Sequence, residues 1–403
     1  MTPPEQRSLR RRELVGLALA AALVPLNSTM IAVALPDVAE DFDIATGTAG
    51  TLVTIYLVVM LVGQPTMGRV IDLVGGRRAL FWALGGFTAL SAVTPLAGTF
   101  PLLVAGRALQ AAFGAALMPS AQALLRSLTP PERRGRSFGL LGSFIGTGAA
   151  TGPVIGGVVT ELSGWQGIFF VNLPITTIAL VSVLSLPKPA GGAGRQATRG
   201  PSMWSTLRQR TFLAAFSVQA TTTLAQYSLL LVVPSVLDAR GWSSGQVGLA
   251  LTSLTAGMVL MGPAGGRHGD LHGRRRPAAL GVWIASAASL VAAFAVADVP
   301  ALLVAAVTLF GFGLGFALPS VQTAALEAVP EELAGSASGM FSMGRHVGSI
   351  PASLLFAALV SGDGGGATLQ LTIATVGMGA AIVATGALPG QAASDQLIPG
   401  QRE

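Results

Sequence analysis

Twelve apolar stretches, each about 20 residues or more, dominate this chain of 403 residues: 14–36, 48–68, 79–98, 101–125, 137–160, 166–186, 211–235, 244–264, 277–297, 300–326, 336–360 and 368–388. A helix of about 20 apolar residues crosses the ~30 Å hydrocarbon core of a bilayer. Inside hydrocarbon a backbone must satisfy its own hydrogen bonds, which leaves helices or a closed barrel; uninterrupted runs of this length are helical. The composition agrees, with 51% hydrophobic and only 10% charged residues, where soluble globules carry about a quarter charged. The stretches are rich in Gly, Ala, Ser and Thr, the residues through which membrane helices pack on each other. The chain is therefore expected to be an all-α membrane protein whose lipid-embedded helices form a bundle.

Lys and Arg number 24 against 18 Asp and Glu. That excess does not point to nucleic acid, because there is no separate basic domain and no basic patch interleaved with aromatics. It points to topology. The amino terminus, the segments 68–78, 126–136, 188–210 and 266–276, and the tail 391–403 hold 21 of the 24, with Arg240 alone on the other side. Basic loops are cytoplasmic, so both termini are expected in the cytoplasm of a multi-pass protein of the cell membrane. RSLRRRELVGLALAAALV begins like a secretory signal, but its apolar run continues for about 23 residues, spanning length rather than signal length. Cysteine is absent, which excludes disulfides, thiol nucleophiles and Cys-ligated metals.

The chain also repeats itself. GRVIDLVGGRR (Gly68–Arg78) returns as GRHGDLHGRRR (Gly266–Arg276), LLVAG with MPSAQALL returns as LLVAA with LPSVQTAAL, and Gly139 falls where Gly339 falls. Residues 188–210, rich in Gly, Pro and Arg, read as a cytoplasmic linker. The expected organisation is a bundle of six helices over 1–187, the linker, a second six-helix bundle over 211–390, and the tail. Two parallel six-helix repeats are the layout of major facilitator halves. The cassette resembles that superfamily's loop signature Gly-x-x-x-Asp-x-x-Gly-x-Arg-Arg through Gly68, Asp72, Gly75, Arg77 and Arg78, and its second copy through Gly266, Asp270, Gly273, Arg274 and Arg275. Gly68 and Gly75 are expected to permit a tight turn, and the aspartates to face a helix amino terminus or an Arg. The resemblance implies that these loops brace the halves during a transport cycle. His268 and His272 flank Asp270 in the second loop and read as hydrated surface groups rather than metal ligands.

Further motifs narrow the resemblance to drug exporters. Arg107 and Gln110 resemble the Arg-x-x-Gln-Gly element of the fourth helix, with Ala111 in place of the Gly; an Arg at membrane depth is functional by default. Gly139, Gly148, Gly152, Pro153 and Gly156 match the fifth-helix signature of drug–proton antiporters. Glycines there allow close helix approach, and Pro153 removes a donor and sets a bend. WQGIFFVNLP (Trp165–Pro174) resembles a segment of exporters usually built with fourteen helices, whose two extra helices this chain lacks. LNSTMIAVALP (Leu26–Pro36) resembles their first helix, but Asn27 stands where they carry Asp. Arg345 and Gly348 resemble their Arg-x-x-Gly element, with His346 in the place of Gln.

The function expected is export of small amphiphilic or drug-like molecules by alternating access, with proton antiport. Candidate substrate and coupling residues are Asn27, Arg107, Gln110, Gln219, Gln226, Tyr227, Arg345, His346 and Asp37, with Thr54 and Tyr56 as further polar groups at depth. With Asn27 in place of Asp, His346 and Asp37 compete as the proton carrier, since His alone changes charge near neutrality. Two alternatives stand beside this: a permease for an organic anion, countered by Arg107 and Arg345, and a membrane sensor or assembly subunit that does not transport. No paired carboxylates or activated nucleophile lie in the spans, so no enzyme, cofactor or resident metal is expected. The partners implied are a small-molecule substrate, protons and the bilayer, for a protein acting as a monomer.

Overall fold

The computed structural model describes residues 11–44, 46–186, 203–242, 244–359 and 365–390. The tail 391–403 and the linker up to residue 202 lie outside the described residues, and the linker's end, Met203–Arg208, is a 3-10 helix. No strand occurs among the described residues. Twelve long helices are present among the described residues: α1 (Arg11–Val33), α4 (Thr51–Val74), α5 (Gly76–Val93), α6 (Phe100–Leu128), α7 (Arg134–Ser163), α8 (Gln166–Leu184), α9 (Arg210–Asp238), α10 (Ser244–His272), α11 (Arg275–Asp298), α12 (Pro300–Glu327), α13 (Ala334–Leu359) and α14 (Gly365–Thr385). Two short ones, α2 (Leu35–Asp41) and α3 (Thr46–Ala49), follow α1. Eleven of the long helices are apolar enough along their length to cross a membrane. The remaining one, α13, is 26 residues long and carries Arg345 and His346 among many Gly and Ser.

Two details differ from the sequence reading. The first span does not continue to Pro36: α1 ends at Val33, and Pro36 opens α2, because Pro suits a first helical turn and not an interior one. The cassettes are also less loop than expected. Gly68–Val74 completes α4, and α10 runs to His272. The reversal is confined to Gly75 (φ 88°) and, in the second copy, Gly273 (φ 80°), a conformation that favours Gly. His268 and His272 are thus helical, with rings stacked 4.2 Å apart.

Contacts divide the chain into two compact units that trade the first turns of two helices. One unit draws on Met1–Pro130, Phe144–Met203 and Pro330–Met343; the other on Pro131–Ser143, Trp204–Val329 and Gly344–Glu403. In the first unit α6 packs on α1, α4 and α5, and in the second α12 packs on α9, α10 and α11. Each central helix carries a proline in its interior at an equivalent position, Pro119 or Pro319.

The glycines of α7 explain how such helices come together. A Cβ on Gly148 would lie 2.9 Å from the Ala22 carbonyl oxygen; on Gly156, 2.9 Å from the Met30 Cα; and on Gly152 it would collide with Thr29. All three face α1. Gly139 serves a different partner, the α10 backbone at Gly262 and Pro263. The α7 signature is therefore two packing faces in succession. Adjacent Gly157 would meet only a Val33 methyl at 3.9 Å. Gly156→Ala is expected to destabilise the detergent-solubilised protein by about 1–3 kcal/mol, the usual cost of overpacking, while Gly157→Ala leaves its melting temperature unchanged; thermal melts of the two variants side by side check this.

Candidate functional site

Both cassettes turn out to be helix caps. Asp72, in the last turn of α4, accepts hydrogen bonds from the backbone N–H groups of Gly335 (2.7 Å) and Ser336 (3.0 Å) and from the Ser336 hydroxyl. These amides open α13. Asp270, near the end of α10, likewise accepts from Gly135 N–H (2.8 Å) and Arg136 N–H (2.9 Å), which open α7. The first amides of a helix lack internal partners and carry the positive end of its dipole, so a carboxylate satisfies both needs. Gly68 is explained by the same contact. A Cβ there would lie 2.5 Å from the Gly335 carbonyl oxygen, and Gly266 and Gly135 exclude each other's Cβ in the same way. The first cassette glycine is thus a site of backbone approach and not of turning.

The two caps are not equal. Arg274 donates to Asp270 (2.5 Å) and, through Nε and Nη2, to both oxygens of Glu327 (3.2 and 3.1 Å), with Nη2 also reaching the Pro131 carbonyl oxygen. Arg134 adds an ion pair to Glu327 at 3.8 Å. Burial alone would lower the Arg274 pKa, but Glu327 and Asp270 outweigh it and hold the pKa above its ordinary value. In the first copy Gly76 stands in the place of Arg274 and Ser127 in that of Glu327, so the Asp72 cap lacks that Arg–Glu pair, while the Arg69 charge acts on Asp72. Arg77 instead donates to the Val183 (3.2 Å) and Leu184 (2.9 Å) carbonyl oxygens at the end of α8, where unpaired carbonyls welcome a cation.

Deeper in the first unit, Arg107 is 1% exposed and ties α1, α4, α6 and α8 together. Its Nη1 donates to the side-chain oxygens of Asn27 and Gln110 (2.7 Å for the latter), and its Nη2 to the Asn27 carbonyl oxygen (3.3 Å). The guanidinium lies over the Tyr56 ring at 4.2 Å and 5.9 Å from that of Phe169. Gln110 passes the network to Ser91 on α5 (2.8 Å). Arg107 has no carboxylate partner, and its Nε–H and the Asn27 amide nitrogen are left without hydrogen bonds among the described residues. The sequence points to Asn27, Arg107 and Gln110, and Phe169 lies in the exporter-like segment Trp165–Pro174; Ser91 carries no signal, being an ordinary residue for a membrane helix.

The other candidates stand apart from this cluster. Gln219 donates to Thr223 (2.9 Å) and Gln226 to the Met258 sulfur (3.5 Å). Arg345 and His346 are partly buried on α13, with Tyr227, 40% exposed, within electrostatic reach of Arg345. These lie in the second unit. Asp37 is exposed in the first turn of α2. Trp165, of the exporter-like segment, donates its indole N–H to Asp41 (2.9 Å) and packs on Phe42, which anchors the start of α8.

A sequence model of the Major Facilitator Superfamily matches residues 17–236 and 215–403. The chain belongs to this superfamily. Among similar proteins, the uncharacterized MFS-type transporter YvkA of Bacillus subtilis is 29% identical over 401 residues, covering 87% of this chain and 90% of YvkA. Multidrug efflux pump LfrA of Mycolicibacterium smegmatis is 36% identical over 183 residues, 45% of this chain and 36% of LfrA. Multidrug resistance protein Stp of Mycobacterium tuberculosis is 25% identical over 83% of this chain and 73% of its own length. The E. coli fucose:proton symporter FucP shares the fold, with a TM-score of 0.74 at 16% identity over 93% of this chain and 98% of FucP. This major facilitator is a multi-pass membrane transporter that resembles the drug exporters. In it, Asp270→Asn is expected to lower the melting temperature more than Asp72→Asn, because it also strips the buried Arg274 of a charged partner, an interaction of about 1.5–3 kcal/mol. Equal shifts in a calorimetric comparison would mean that the Asp270–Arg274 pair adds nothing.

Proposed function

We propose that this transporter exports small amphiphilic, drug-like molecules by alternating access, with the repeats 1–187 and 211–390 as its moving bodies and both termini cytoplasmic. The observation that carries the reading is the glycine face of α7. The spacing that resembles drug–proton antiporters seats Gly148, Gly152 and Gly156 directly on α1, a close backbone packing inside the first repeat. The likeness to named multidrug exporters supports it. Each cassette acts as a latch, since a carboxylate on a helix amino terminus can be broken and remade without leaving a covalent or metal bond behind.

Proton antiport is the coupling proposed. His346 is the carrier preferred, being an imidazole beside Arg345 within α13, and Asp37 is the rival. Proteoliposomes of a monomeric preparation, loaded with ethidium under an imposed pH gradient, test both. Efflux should collapse with the gradient, and His346→Gln should flatten its dependence on pH, whereas Asp37→Asn leaves that profile intact. The opposite pair of results assigns the proton to Asp37.

A second reading, an organic-anion permease, is favoured by one feature: Arg107 is a buried cation with no carboxylate beside it. A buried unpaired charge is costly, and an anionic cargo would relieve it. Asn27→Asp supplies a resident counter-charge. Under the anion reading it should cut flux of 1-naphthoate on the order of tenfold while sparing ethidium; equal effects on the two would dismiss that reading.

A further inference from the structure

On an exposed flank of the first unit, α4, α5 and α6 frame an open groove of about 860 Å³. Its floor is made of small residues one helical turn apart, Ala79 and Ala83 on α5 and Ala112 and Ala116 on α6. The groove has one charged residue, Arg78, in the first turn of α5, and Trp82 follows one turn on, 69% exposed. Arg77 is committed to the end of α8. Arg78 is exposed and makes no hydrogen bond or ion pair among the described residues.

We propose that this groove seats one anionic phospholipid, with an acyl chain along the alanine floor and the phosphate on Arg78. The charge pattern favours that occupant. Arg78 lies at the chain's basic side, where the sequence gathers 21 of its 24 Lys and Arg, and anionic lipids populate the leaflet that faces basic loops. Trp82 lies one helical turn from Arg78 and is 69% exposed, the placement expected of an indole between headgroup and hydrocarbon. The alternative occupant, a helix of a second copy, suits the alanines but would cover Arg78 without supplying an anion. Ile71 lines the groove beside Asp72, so a seated lipid supports α4 at the turn that caps α13.

Trp82 makes the proposal testable in the full-length protein reconstituted in phosphatidylcholine vesicles. Its fluorescence is isolated as the difference between the wild type and Trp82→Phe, while brominated phosphatidylglycerol or brominated phosphatidylcholine is titrated in as quencher. The anionic quencher is expected to act at about fivefold lower mole fraction, the factor one basic residue contributes at a membrane surface, and added salt should shrink that preference. Arg78→Gln should equalise the two lipids and Arg78→Lys should keep most of the difference. Equal quenching by both lipids in the wild type would overturn the proposal, reducing the contact to ordinary annular lipid. An unquenched Trp82 would also overturn it, because another molecule, such as a second copy or a cargo molecule, then covers the groove. A preference that survives in Arg78→Gln would place the headgroup elsewhere. The wild-type comparison and its salt dependence decide the matter even if Arg78→Gln fails to fold, and neither requires transport to occur.

Discussion

A carboxylate from one helix capping the amino terminus of another is the contact around which each unit is organised. In hydrocarbon or at its edge, the first free amides of a helix have no water to bond. Asp72 and Asp270 meet that need for α13 and α7, and the cassette glycines exist to let the two backbones come close enough for it. The same arrangement occurs twice because the chain is a duplicated six-helix plan. Its two copies have since diverged: one is reinforced by Arg274, Glu327 and Arg134, the other relies on Asp72 and Ser336.

Small residues set the rest of the packing. Without a hydrophobic drive between helices in lipid, close approach and internal polar contacts carry the association. The glycines of α7 show this in sequence, first against α10 and then against α1. Those of α13 repeat it, with Gly339 on the Gln64 carbonyl and Gly348 on the Ala220 carbonyl of α9. A side chain at any of these positions would separate helices over their whole length, not only at one point.

Arg107 is, with Arg345, an exception in a chain that otherwise gathers its charge near helix ends and loops. Its hydrogen bonds all go to neutral oxygens, and its face rests on Tyr56. Charge-assisted bonds of this kind are strong, so the arginine holds the first unit together while its net charge stays unmatched.

Much of this was legible in the sequence, for a physical reason. Spanning length, duplicated motifs and the scarcity of acids within the apolar stretches are properties of the chain itself, and the bilayer allows few folds that satisfy them; twelve helices in two repeats follow directly. That Arg107, Asn27 and Gln110 matter was also legible, because polar groups at depth are costly enough to announce themselves. What no local pattern contained was the identity of partners. The capping of α13 by Asp72 joins residues more than 260 positions apart, the trade of first turns between the units follows from such contacts, and the groove before Arg78 arises only where three helices meet. Those features depend on which faces the packed helices bring together, a decision that belongs to the tertiary structure alone.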